Sequence, residues 1–323
     1  MDSLRRRQLD EALAARILVL DGAMATMVQA RHPTTADYGG PGQEGCTENL
    51  CHTRPDWILE IHRAYLDAGA DIISTDSFQG SPIVLAGFGL DRNAGDLNLA
   101  AARLARQAAD ECSTTLKPRF VAGSLGPAAR PLTGRRDVTF AQLTDSYDAQ
   151  ARALVDGGVD LLLIETACDL RNVRAALLAI QRLEQDLQLP VPVMISATIG
   201  PSGAMLDGQT LDALLTAVAH ADPLSIGLNC SSGPGMMTDH IRALATMATT
   251  RISCHPSAGL PTEEGHYRET ADSFATQLDE LVRSGWLNIV GGCCGTTPGH
   301  IRALAQIADG RAPRIVNTPI RSG

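Results

Sequence analysis

Cys293 and Cys294 stand side by side in Val290-Gly291-Gly292-Cys293-Cys294-Gly295-Thr296-Thr297-Pro298. Adjacent cysteines bridge each other only with strain, because a disulfide prefers Cα atoms about 5.5–6 Å apart and one residue step gives about 3.8 Å. Two thiols that pair badly, with glycines leaving room around them, suit a metal better than each other. A third thiol ends the run Ser225-Ile226-Gly227-Leu228-Asn229-Cys230. If both runs are strands ending on one rim, three thiolates converge there. Three protein ligands with one position open is the catalytic zinc pattern rather than the structural one. Thr297-Pro298 reads as a helix cap followed by proline at the first helical position, so the two cysteines lie just upstream of a helix N-terminus, where partial positive charge favours thiolate. Cys254 in Cys254-His255-Pro256 could supply a fourth ligand and close the site, but no glycines surround it, and a buried, inert thiol is the better reading.

Two carboxylates also end apolar runs. Glu165 follows Leu161-Leu162-Leu163-Ile164, where an unpaired charge would cost several kcal/mol. It either pairs with an arginine such as Arg171 or clamps a cationic group, and the clamp is favoured. Asp21 ends Ile17-Leu18-Val19-Leu20, and Gly22 lets backbone N–H groups approach a carboxylate. A rim with two carboxylates and an open amide suggests an amino-acid substrate. Cys46 and Cys51, in and just after the glycine-rich tract 37–46, are read as incidental, and Arg130, Arg135 and Arg136 as exposed charges that could meet a partner.

Eight short apolar runs position these residues: Ile17–Leu20, Asp71–Thr75, Arg119–Ser124, Asp160–Glu165, Val193–Thr198, Leu224–Asn229, Arg251–Cys254 and Leu287–Gly291. Helix-length segments with apolar residues at helical spacing separate them, as in Ile58, Ile61, His62, Tyr65 and Leu66, which implies parallel strands. Gly69, Gly158 and Gly285 each precede a run in the same way, as left-handed helix caps leading into a buried strand. Eight repeats favour an α/β (β/α)8 TIM barrel over a doubly wound sheet, which would carry a glycine fingerprint after its first strand, where this chain has Asp21-Gly22-Ala23-Met24. Residues 1–323 are expected to form one barrel domain, with a helix at about 4–16 before the first strand. Chemistry in such a barrel gathers at the C-terminal strand ends, here Asp21, Asp76, Gly126, Glu165, Thr198, Cys230, Cys254 with His255, and the cysteine pair.

Composition bounds the partners. The chain has 323 residues, 44% of them hydrophobic, with 36 acidic against 27 basic residues and a net charge of −9. That balance disfavours nucleic acid and anionic membranes. No apolar stretch approaches the ~20 residues needed to span a bilayer, and the charged N-terminus is unlike a signal peptide, so a cytoplasmic protein with mostly reduced cysteines is expected.

The chain resembles the homocysteine S-methyltransferase family, most closely the homocysteine-binding barrel of cobalamin-dependent methionine synthase. The matching stretches are Leu18 to Met27, Ile61 to Tyr65 with Ala68 to Ile73, Leu163-Ile164-Glu165-Thr166, Gly227-Leu228-Asn229-Cys230, His255 to Pro261 and Asn288 to Pro298. The resemblance implies zinc held by Cys230, Cys293 and Cys294, with the homocysteine thiolate in the open position. It also implies that Asp21, the backbone at Gly22, Glu165 and Asn229 hold the amino-acid end. Ala25, where relatives usually have glycine, and Asp76, in a segment that replaces Thr-Asn-Thr-Phe, depart from the pattern near the substrate. The Asp-x-His-x-x-Gly signature of a corrinoid carrier is missing, and the chain ends soon after the last barrel helix. The resemblance therefore implies methylcobalamin delivered by a separate corrinoid protein. The alternatives are a small sulfonium donor such as S-methylmethionine, or a non-catalytic barrel that binds a thiol amino acid.

Overall fold

The computed structural model describes residues 3–128 and 138–316; Arg130, Arg135 and Arg136 lie outside them. Eight parallel strands form one sheet: β1 (Leu18–Val19), β2 (Ile72–Ser74), β3 (Phe120–Leu125), β4 (Leu161–Ala167), β5 (Val193–Ala197), β6 (Ser225–Cys230), β7 (Arg251–Pro256) and β8 (Ile289–Val290). β1 pairs with β8, and a parallel bridge from Leu20 to Ile72 joins the two ends of the sheet. This is an α/β (β/α)8 barrel with helices outside, as expected.

The anticipated turn chemistry is present. Gly69, Gly158 and Gly285 have φ of 113°, 95° and 67°, the left-handed region that ends a helix and aims the chain into a strand. Several strand ends differ from the sequence reading. β4 continues past Glu165 to Ala167 across a register shift, while β6 and β7 run on to Cys230 and Pro256. The extension of β6 carries Cys230, and apolar patterning ends before these strands do.

The barrel interior is apolar at the starts of the strands and polar at their ends. Leu18, Leu20, Ile72, Phe120, Ala122, Leu161, Leu163, Met194 and Ile289 form a buried inner cluster, plugged by Leu9 and Leu13 of the N-terminal helix Ser3–Ala15. Arg16 ties that helix end to buried Asp71 at 2.6 Å. Alternation along each strand then turns the next inward residue polar: Ile72 gives way to Ser74, Ala122 to Ser124, Leu163 to Glu165, and Met194 to Ser196. The register sets Asn229 beside His255 and Gly227 beside Ser253. An apolar floor thus supports a polar upper layer at the rim where active sites of this architecture lie.

Candidate metal centre and substrate rim

Cys230 is the last residue of β6, and both it and Ser231 are left-handed, with φ of 61° and 59°. Non-glycine residues pay about 1–2 kcal/mol for this conformation. Ser257 offsets that cost: its N–H donates to the Cys230 carbonyl at 3.1 Å and its hydroxyl to the Ser231 carbonyl at 2.6 Å. Across the rim, the loop after β8 is fixed by Cys293 N–H donating to Pro256 O at 2.8 Å and by Ala258 N–H donating to Cys294 O, also at 2.8 Å. Thr296 donates its hydroxyl to Cys293 O at 2.7 Å, in space that a Cβ on Gly292 would invade.

These constraints bring the three predicted sulfurs together. Cys230 Sγ lies 3.1 Å from Cys293 Sγ and 3.5 Å from Cys294 Sγ, with 3.9 Å between the last two. A tetrahedral zinc with Zn–S bonds of about 2.3 Å sets its sulfurs about 3.8 Å apart, so the trio fits such an ion with small adjustments. Among the described residues it is the only group of three or more His, Cys, Asp or Glu side chains close enough to share a metal. Hydrogen bonds from Cys230 and Cys293 lower the Cys294 thiol to about 3, while Cys293 is pushed up by its hydrogen bonds to Cys230 and Cys294 and by burial.

Cys254 takes no part. It is buried on the helix-facing side of β7, with its sulfur 3.8 Å from Met237 Sδ. Cys46 and Cys51 are buried as well, beside Glu48 and Asp76 respectively. Thr297 caps the helix Pro298–Ala308 as expected, with its N–H directed to His300 Nδ1 at 3.3 Å.

The acidic residues also fall at strand ends. Asp21 is buried, and its carboxylate accepts the Ser74 N–H at 2.8 Å and the Ser74 hydroxyl at 3.1 Å. Burial raises its pKa well above the usual range, although the Ser74 hydrogen bonds oppose this. Glu165 accepts the Ser124 hydroxyl, and burial raises it to about 7. No lysine or arginine among the described residues lies within salt-bridge reach of either carboxylate, and Arg171 donates instead to Val138 O. Gly22 sits where a Cβ would meet Thr296 Oγ1 at 2.6 Å. Of the departures from the family pattern, Ala25 is exposed on the helix Met24–Gln29, and Asp76 is buried, with its pKa raised by burial and by nearby Glu48.

Asn229 is fully buried and engaged in the frame. Its Oδ1 accepts the Thr166 N–H at 2.9 Å, and its Nδ2 donates to Thr166 Oγ1 at 2.8 Å and toward Cys293 Sγ at 3.7 Å. Thr166 is itself left-handed, with φ of 53°, so Asn229 locks the kink that follows Glu165. The sequence reading missed three residues of this site. Tyr65 donates its hydroxyl to Ala23 O at 3.0 Å and also lies 3.1 Å from Thr296 O, holding the Asp21 loop to the cysteine loop; its apolar helical spacing disguised it. Ser257 braces Cys230, and the Tyr267 ring fills the space beside Gly295 that a Cβ there would need. Tyr267 lies in a charged loop with no periodicity to mark it.

Residues 18–308 match the sequence profile of homocysteine S-methyltransferases. Among solved structures, the chain is similar to the homocysteine methyltransferase MmuM of Escherichia coli. In the metallated form it shares 25% identity and a TM-score of 0.76, over 93% of this chain and 98% of that one. The oxidised form gives the same identity and TM-score over 94% and 99%. A profile that covers nearly the whole barrel, on a scaffold with three cysteine sulfurs converging at its rim, places this chain in the homocysteine S-methyltransferase family.

Proposed function

We propose that the protein transfers a methyl group to the sulfur of homocysteine, giving methionine, at a zinc ion held by Cys230, Cys293 and Cys294. The observation that carries this reading is the convergence of those three sulfurs on one point. The chemistry explains the need for a metal: a free thiol of pKa about 8.5 is only about 3% thiolate at pH 7, a deficit of roughly 2 kcal/mol. Bound zinc supplies the acidity that keeps a substrate thiol deprotonated while leaving its sulfur able to attack carbon.

The protein's own residues do the rest. Asp21 and Glu165 receive the substrate ammonium, which replaces the missing basic partners and draws both carboxyls into their ionised form. The amide edge at Gly22 faces the substrate carboxylate. Ser74 and Ser124 hold the two acidic side chains in place. The new S–C bond forms from a sulfur lone pair, and the leaving group departs with the electrons of the broken bond to methyl.

The donor is proposed as methylcobalamin carried by a separate corrinoid protein. A second reading is a small sulfonium donor such as S-methylmethionine, which would need no partner protein. Incubating zinc-loaded protein with homocysteine and each donor decides between them. Methionine formed from the sulfonium alone would remove the need for a corrinoid partner. Absence of zinc after anaerobic purification, with homocysteine binding unchanged in Cys230→Ser, would overturn the enzymatic reading in favour of a non-catalytic thiol-binding barrel.

A further inference from the structure

The loop after β1, which would meet the substrate's amino-acid end, and the loop after β8, which carries two of the three thiols, are tied into one unit. Gly292 N–H donates to Asp21 O at 3.0 Å, Gly295 N–H to Thr26 Oγ1 at 3.0 Å, and Ala23 N–H to Thr296 Oγ1 at 3.2 Å. Thr296 passes the last contact on, because its own hydroxyl donates to Cys293 O at 2.7 Å. Tyr65, fully buried on the helix Pro55–Asp67, closes the arrangement: its single hydroxyl proton is shared between Ala23 O at 3.0 Å and Thr296 O at 3.1 Å, one carbonyl from each loop. Both side chains press on Gly22, where a Cβ would lie 2.6 Å from Thr296 Oγ1 and 3.0 Å from the Tyr65 hydroxyl.

We propose that Tyr65 and Thr296 are positioning residues that couple the amino-acid end of the substrate site to the zinc cluster, so that each ligand tightens the binding of the other. A substrate carboxylate on the Gly22 amide fixes the first loop, and zinc on Cys293 and Cys294 fixes the second. With the loops joined, the ligand that binds first settles both, and the second meets a site already ordered. The chain from Ala23 N–H through the Thr296 hydroxyl to Cys293 O adds to this, since each hydrogen bond polarises the next. Linkage makes the effect reciprocal, so zinc and the amino acid raise each other's affinity by one and the same factor. This inference rests on the zinc reading above.

The test needs no turnover. L-2-aminobutyrate, which is homocysteine without its sulfur, fills the amino-acid end and cannot ligate the metal. Zinc affinity is measured by competitive chelator titration with and without a saturating concentration of it, and its own binding to the zinc-loaded protein by calorimetry. In the unmodified protein it should tighten zinc about fivefold, the worth of one ordinary hydrogen bond. In Tyr65→Phe, which keeps the ring and removes the hydroxyl, that ratio should fall toward one while both ligands still bind; if this variant fails to fold, Thr296→Val decides. Ser257→Ala is the control: the Ser257 hydroxyl bonds only to Cys230 and Ser231, so zinc should weaken while the fivefold ratio stays. A ratio of one in the unmodified protein, or a ratio unchanged in Tyr65→Phe with both affinities lowered, would overturn this inference and leave the proposed function standing. No zinc bound by the unmodified protein, or no binding of L-2-aminobutyrate to its zinc-loaded form, would overturn this inference together with the site assignment on which it rests.

Discussion

Glu165 gives the site its pH dependence. Burial raises its pKa from about 4.5 to about 7, so without a cation its contribution to stability is present at low pH and is lost as pH rises through 7. A bound ammonium reverses the preference, because it pairs only with the ionised carboxylate. Homocysteine should therefore bind progressively more weakly as pH falls below about 7, and Glu165→Gln should make that fall shallower by up to one proton, about tenfold per unit, while weakening binding above pH 7; calorimetric titration between pH 5.5 and 8 checks both. The types of these residues were legible in the sequence: three cysteines and two carboxylates, each ending an apolar run. Their supporting contacts were not. Asn229 reaches Thr166, Ser257 reaches Ser231, and Tyr65 reaches Thr296 across gaps that no local pattern encodes. Asn229, which the family resemblance assigns to the amino-acid end of the substrate, also holds Thr166 and directs an N–H toward Cys293.

At the scale of elements, the site depends on how strands end. Left-handed residues at Thr166, Cys230 and Ser231 bend the chain at the ends of β4 and β6. The loop after β8 depends on Gly295, left-handed at φ 79° and overlain by Tyr267. Gly295→Ala should strain the backbone and displace the ring, lowering zinc affinity about tenfold in a competitive chelator titration while the far-ultraviolet circular dichroism stays unchanged. Ser257→Ala should act in the same direction by releasing the braces on Cys230 and Ser231, and its loss of affinity is measured in the same titration. All eight strands were visible as apolar runs because each is buried on both faces. Their final residues were less visible, since β4, β6 and β7 exchange apolar side chains for functional ones before their hydrogen bonding stops.

At the scale of the whole molecule, stability and chemistry occupy opposite ends of the barrel. The N-terminal helix packs Leu9 and Leu13 into the inner cluster, far along the strands from the cysteines. Leu13→Ala should cost about 2–4 kcal/mol, seen as a lower urea midpoint, while the folded protein still binds one zinc per chain. No helix among the described residues is long and apolar enough to cross a membrane. Cys230, Cys293 and Cys294 are proposed to hold a zinc whose remaining position receives the substrate sulfur. Zinc-edge X-ray absorption of the loaded protein, before and after homocysteine, tests it most directly. Three sulfur neighbours at about 2.3 Å should rise to four. A sulfur count that stays at three when homocysteine is bound, or zinc held equally well by Cys230→Ser, would contradict it.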